Sequence, residues 1–257
     1  MSFKNVYEDS LRAESYARLE LPGTYYLAYR DIPGIIEKYT SPLTPLHPAK
    51  RYRACSMEGG IKQRALDFGC GTGRSTRFLK GLGFESIGVD ISEDMLAIAR
   101  RIDPEGEYLY WSHICDPYNR KFDLITAVFT FDNIPGVDNR TLLLKQLGGL
   151  LNNKGVILIV NSTPEIYINE WLSFSTKDFP ENKLAKGGDK VKIIMTDVED
   201  KRPIEDIVWF DYDYRNLFDA NGLKLIETIK PLGKTTEPYA WVNEITIAPW
   251  VVYILKK

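Results

Sequence analysis

One stretch limits what this chain can fold into more than any other: Ala65-Leu66-Asp67-Phe68-Gly69-Cys70-Gly71-Thr72-Gly73-Arg74. Its apolar residues read as the end of a buried strand. The glycines at 69, 71 and 73 let the backbone turn sharply and come close to a ligand, because no Cβ stands in the way. Arg74 to Leu82 then opens a helix whose first N–H groups point back over the turn. A dinucleotide fingerprint, G-x-G-x-x-G, would set its third glycine at position 74. Arg holds that position and the glycine comes one residue early, at Gly73, which speaks against a nicotinamide dinucleotide.

A second signal follows. Ser86-Ile87-Gly88-Val89-Asp90 reads as a short apolar strand ending in a carboxylate, and Asp90 lies 21 residues after Gly69. That is close to the ~20-residue offset at which an acidic side chain meets a ribose diol, two carboxylate oxygens matching two neighbouring hydroxyls. Ser92 is a good N-cap, and Glu93 and Asp94 complement the dipole of the helix it opens. Met95, Ile98, Ala99 and Ile102 recur at helical spacing. The D-x-G-x-G-x-G pattern led by Asp67, with Asp90 after it, resembles motif I of the class I S-adenosylmethionine (SAM) dependent methyltransferases.

From residue 61 the chain alternates strand and helix, the pattern of a parallel sheet with crossover helices. Strands are expected at about 62–68, 86–90, 107–112, 122–129 and 155–161, and helices at about 73–82, 92–102 and 138–152. Tyr212 to Asn221 reads as a last helix closed by Gly222. Leu223 to Ile229 and Ile245 to Leu255 read as a final strand pair. The resemblance implies an α/β, Rossmann-like class I methyltransferase sheet, mostly parallel with an antiparallel C-terminal edge hairpin. Residues 1–60 would form an N-terminal helical lid or arm, 61–162 the SAM-binding core, 163–205 a substrate-capping insertion, and 206–257 the C-terminal part of the core sheet.

In the arm, Glu8 to Leu21 reads as a helix that Pro22-Gly23 breaks. Thr24 to Arg30 is a short helix carrying Tyr25, Tyr26 and Tyr29, and Pro33 restarts a helix at its first turn. Tyrosines can exclude water while offering a hydroxyl, and Arg30 can hold a carboxylate bidentately, such as the one on the methionine half of SAM. Residues 21–31 resemble the N-methyltransferase of toxoflavin-type azapteridine biosynthesis. In the insertion, Val191 to Thr196 and Ile204 to Phe210 are expected to pair as a hairpin or small antiparallel sheet.

The resemblance implies cofactor contacts at Gly69, Cys70, Gly71, Asp90, Ile91 and Met95. It adds Tyr16, Tyr25 and Arg30 from the arm, and Cys115, Asp116 and Phe129 beyond later strands. Asp116 stands where the family has the carboxylate that accepts the adenine amino group. Pro117 cannot donate from its backbone, which leaves Asp116 or Tyr118 to supply the donor to the ring. Ligands of open α/β sheets bind at the carboxyl ends of strands, so Phe129 to Asn133 border the methyl-transfer zone. Phe131, Asp132 and Trp171 are the expected acceptor pocket, with Asp132 or Tyr7 polarising the acceptor. Phe131-Asp132-Asn133-Ile134-Pro135 departs from the Asn/Asp-Pro-Pro-aromatic motif of the branch that methylates exocyclic amino groups, which argues against an adenine-N6 nucleic-acid enzyme. His47 and His113, the two histidines, read as structural.

The net charge of −2 points to no polyanion. Cys55, Cys70 and Cys115 lack metal-type spacing and suit a reducing cytoplasm. The polar Met1 to Ser10 stretch lacks the apolar region of a secretory signal, and no run approaches the ~20 apolar residues of a membrane span. Lys50, Arg51, Arg53, Lys62 and Arg64 read as a solvated basic face. The expectation is therefore a cytoplasmic SAM-dependent enzyme, monomer or homodimer, that methylates N or O of a small molecule in a biosynthetic or secondary-metabolite pathway. No metal, nucleic-acid or membrane partner is expected. A SAM-binding protein without turnover and an RNA methyltransferase are the alternatives.

Overall fold

The computed structural model describes Glu14, Ala17 and residues 23–40, 62–114 and 121–257. Two short helices come first, α1 (Thr24–Arg30) and α2 (Ile32–Tyr39). The core alternates as expected: β1 (Arg64–Phe68), α3 (Arg74–Gly81), β2 (Glu85–Asp90), α4 (Glu93–Ile102), β3 (Glu107–Tyr110) and β4 (Phe122–Val128). Trp111–Ile114 is a single helical turn, α5, where strand was expected to run on. The Trp111 indole leaves the strand to pack edge-on against Phe68, 4.8 Å between centroids. Then come α6 (Val137–Leu150) and β5 (Leu151–Ser162), which starts earlier than its apolar run because Asn152 donates to the Asp123 carboxylate of β4 at 2.7 Å.

The expected insertion hairpin is present. β6 (Phe174–Ser175), β7 (Lys190–Met195) and β8 (Ile204–Ile207) form a three-stranded antiparallel sheet. The chain returns through α7 (Asp211–Ala220), β9 (Lys224–Ile229) and β10 (Trp250–Lys256). β10 begins later than expected. Residues 245–249 form a loop ending in Pro249, whose carbonyl accepts from Thr163 N–H.

The main sheet has the order β3-β2-β1-β4-β5-β10-β9. The strands from β3 to β5 pair in parallel, and β10 runs antiparallel to both β5 and β9. Strand order reverses between β1 and β4, so the carboxyl ends of those two strands open the crevice where such sheets bind ligands. Residues 156–160 of β5 are apolar on both faces. Val156, Leu158 and Val160 join the core under α1 and α2, while Ile157 and Ile159 join the core under α6 and α7. Alternate residues of a strand point to opposite faces, which is why that run carries no polar positions. Among the described residues no helix is long and apolar enough to cross a membrane.

Candidate active site

The glycine turn is held from beneath. Gly69 and Cys70 both donate to Val89 O, at 2.8 and 3.0 Å, which ties the turn to β2. Asp67 is fully buried and accepts hydroxyl bonds from Ser75 (2.6 Å), Thr76 (2.7 Å) and Thr126 (3.0 Å). It pins the first turn of α3 to β1 and β4, and burial raises its carboxyl above the ordinary range against the pull of those bonds. Gly71 has φ +51°, and a Cβ built there meets nothing within 4 Å, so the turn is open on its outer side.

Asp90 stands beside that opening. Its Oδ2 accepts from Gly71 N–H at 2.8 Å and its Oδ1 from Ser92 N–H at 2.9 Å. Desolvation raises its pKa, opposed by these backbone donors. Two carboxylate oxygens offer about four lone-pair sites, so acceptor capacity remains for a diol. Ser92 caps α4 as expected, accepting from Met95 N–H at 3.3 Å. Ile91, next to Asp90, is 37 % exposed and offers an apolar surface beside the opening.

β4 joins this corner to a second one. The Thr130 hydroxyl donates to Phe68 O at 2.9 Å and lies against Gly69, where a Cβ would stand 2.3 Å from it. The residue before it, Phe129, has φ +59°, a left-handed conformation costly for a bulky residue. Its ring lines a cavity of about 40 Å³. The walls come from Tyr25, Phe129, Phe174 and Trp250, and the polar floor from Asp132, Asn133, Ser162, Tyr167 and Asp206. The rings pack tightly, Phe129 lying 4.6 Å and Tyr25 5.9 Å from the Trp250 centroid. Ile193 of β7, with Ile204 and Asp206 of β8, brings the small sheet over this cavity.

Asp132 accepts from Ser162 N–H at 3.0 Å. Asp206 accepts from the Tyr167 hydroxyl at 3.1 Å. Burial pushes both carboxyls well above the usual carboxylate range, and the like charge of Asp206 adds to the rise at Asp132. Behind them Arg140 is buried with its guanidinium over the rings of Trp209 (4.2 Å), Tyr214 (4.5 Å) and Phe131 (5.7 Å). Its positive charge favours the ionised form of Asp132.

Several expected contacts lie elsewhere. Arg30 does not face the glycine turn. Its guanidinium is bound by Asp31, by Glu237 at 2.9 Å and by Leu232 O, over β9. β9 is four strands from β1, about 19 Å at the ordinary strand spacing. The Cys70 side chain is buried with Leu96, Ala99 and Tyr108, and its backbone N–H and C=O serve Val89 and Gly73. Met95 is buried against Ile98 and Ala17. Phe131 and Trp171 are core residues rather than pocket walls. In the 3₁₀ turn Phe131–Asn133 neighbouring side chains diverge, so Phe131 packs near Phe68 while Asp132 takes the cavity side. Trp171 donates its indole N–H to Ile166 O at 2.8 Å. Tyr25 stands on the cavity, its hydroxyl bonded to Met195 Sδ. Tyr7, Tyr16, Cys115, Asp116 and Tyr118 lie outside the described residues.

Asp206 was the residue the sequence reading missed. Its signal was present in Ile204-Glu205-Asp206-Ile207-Val208, since strand alternation sends Asp206 to the same face as buried Ile204 and Val208. Ser162 and Tyr167 gave no local signal.

Residues 36–228 match the family model described as a methyltransferase domain. An uncharacterized methyltransferase of Alkaliphilus oremlandii is 31% identical over 121 residues, 46% of this chain and 56% of that protein. A ubiquinone biosynthesis O-methyltransferase of Glaesserella parasuis is 27% identical over 139 residues, 49% of this chain and 56% of that protein. The chain spans about half the length of the curated relatives it matches. Among solved structures, the CcbJ methyltransferase of Streptomyces caelestis superposes with TM-score 0.61 over 95% of both chains at 16% identity. DesVI of Streptomyces venezuelae does so with TM-score 0.54 at 17% identity, covering 98% of this chain and 99% of that one. The chain belongs to the methyltransferase-domain family, and its fold is that of the class I SAM-dependent methyltransferases.

Proposed function

We propose that this protein transfers the methyl group of SAM to a nitrogen or oxygen of a small molecule. The observation that carries the reading is the open space over Gly71 beside the Asp90 carboxylate, at the point where strand order reverses. A cofactor cradle needs such an opening, and a Cβ at Gly71 would fill it. Asp90 would hold the ribose hydroxyls, the turn backbone would follow the chain of the nucleoside, and Ile91 would cover an apolar ring face. Bound there, SAM supplies a methyl group on a positively charged sulfur: the acceptor's lone pair makes the new bond to carbon, and the electrons of the old bond stay on sulfur.

The protein's own part is alignment and the exclusion of water. Thr130, bonded to Phe68 O, and Phe129, on the cavity wall, are consecutive residues, so an acceptor in the cavity would lie beside the bend that follows β4. The β6–β8 insertion, in this reading, shapes the acceptor pocket. One relative is an O-methyltransferase of ubiquinone biosynthesis, which supports a small acceptor. The azapteridine likeness rests on residues 21–31 alone.

Calorimetry tests the reading. SAM should bind, and Asp90→Ala should weaken it by about 10-fold or more, equivalent to ~1.4 kcal/mol or greater. Asp90→Asn, which keeps an acceptor oxygen for Gly71 N–H, should fall between. Absence of heat with SAM, or heat with NAD in its place, would sink the proposal.

A further inference from the structure

Resting on the methyl-transfer reading, we infer that the cavity receives an amine as its ammonium ion, held between Asp132 and Asp206, so that nitrogen is the atom methylated. The argument is an inventory of what the cavity offers. Asp132 and Asp206 present carboxylates. Asn133 donates its amide N–H to Phe129 O at 3.2 Å, which fixes its orientation and leaves its Oδ1 buried without a partner among the described residues. Two neighbouring hydroxyls already commit their protons: Tyr167 to Asp206 and Tyr25 to Met195 Sδ. The polar floor is therefore acceptor-rich, and the walls are aromatic faces, which attract cations.

The charge count agrees. The buried guanidinium of Arg140 acts on Asp132, so one positive charge stands against two carboxylates. Burial, with the like charge of Asp206 at Asp132, disfavours two full charges and favours a proton held on the pair. An ammonium can take that proton's place. Its three N–H donors match the acceptors, and its charge cancels the surplus negative one. An alcohol brings one donor and no charge, and leaves buried acceptors unsatisfied, the situation in which polar sites discriminate most strongly. The pair also performs the proton step. R–NH3+ gives a proton to a carboxylate, which becomes a carboxylic acid, and the nitrogen keeps the electron pair as R–NH2. After that pair forms the N–CH3 bond the product is again a cation, R–NH2–CH3+. The proton on the acid passes to water when the product leaves.

The test uses ethylamine hydrochloride and ethanol, isosteric probes for a small cavity, on the whole chain without cofactor. At about pH 7.5 calorimetry should show ethylammonium binding about 10-fold or more tighter than ethanol. Asp206→Asn should reduce the ratio to about 3-fold or less while SAM affinity stays unchanged. A second readout needs no variant. At about pH 5 the pair takes up its second proton, and the preference should vanish. Among the described residues, the other titratable and charged groups acting on the pair or its partners are Arg140, Tyr167, Tyr214 and Glu205. Burial keeps the two tyrosines neutral over this range and Glu205 pairs with Lys190. Equal affinity for the two probes, or a preference untouched by both the variant and acid, overturns the amine assignment even where SAM binds. A protein that ignores SAM yet discriminates the probes overturns methyl transfer instead.

Discussion

Gly69 and Gly71 meet two different demands two residues apart. Both have positive φ, +72° and +51°. At Gly69 a Cβ would also collide with the Thr130 side chain at 2.3 Å, whereas at Gly71 it would stand in open space. Gly69→Ala should therefore cost about 3 kcal/mol or more in urea unfolding, strain plus overpacking. Gly71→Ala should cost only about 1 kcal/mol of stability but weaken SAM about 10-fold, read by calorimetry. Equal losses of stability at the two positions would refute the distinction. The turn, Asp90 and the Ser92 cap were legible because each is written in a few consecutive residues. Arg30 was misread for the complementary reason. A guanidinium suits any carboxylate, and the two it meets are on Asp31, the next residue, and on Glu237, 207 residues along the chain.

At the level of elements, Glu244 fastens three regions that the sequence keeps far apart. Its Oε1 accepts from the Thr24 hydroxyl of α1 (2.6 Å) and from Leu172 N–H (2.8 Å), and its Oε2 from Val242 and Asn243 N–H. Thr24 and Ser173 exchange two further bonds of 3.0 Å, and the Trp250 indole donates to Thr24 O at 2.7 Å. So the described part of the arm is bolted to the insertion and to β10. Glu244→Ala leaves several buried donors unpaired and should cost about 3 kcal/mol, measured by denaturant unfolding. A loss below about 1 kcal/mol would show that the knot is dispensable. The core strands were legible as apolar runs and the helices as amphipathic ones. The knot was not, because a glutamate in a polar loop looks the same whether it meets water or four donors.

Across the whole molecule, Asp67, Asp90, Asp132 and Asp206 all have pKa values raised chiefly by burial. A carboxyl whose folded pKa is raised binds its proton more tightly in the folded state. Its contribution to stability is full below the unfolded pKa near 4 and is lost as pH rises through the folded pKa into the neutral range. Glu170, whose pKa is lowered by the Ser175, Thr176 and Lys177 donors against desolvation, works in the opposite sense. Thermal melts should accordingly show a loss between about pH 5 and pH 8. Asp206→Asn should shrink that loss by about 1 kcal/mol or more. An unchanged pH profile would mean that the carboxylate is solvated in the folded chain. The fold class was readable because sheet order follows from alternating strands and crossovers. The cavity was not, since its lining comes from α1, the turn after β4, and β5, β6, β7, β8 and β10, brought together only by the finished fold.

β10 has a consequence of its own. The strand nearest the end of this sequence is not an edge strand but lies between β5 and β9, and its first residue, Trp250, is a wall of the cavity. During synthesis, then, a ribosome must deliver β10, long after β5 has emerged, before the middle of the sheet can close. A nascent polypeptide can assemble the glycine turn early, but the cavity lacks one wall until β10 is threaded home.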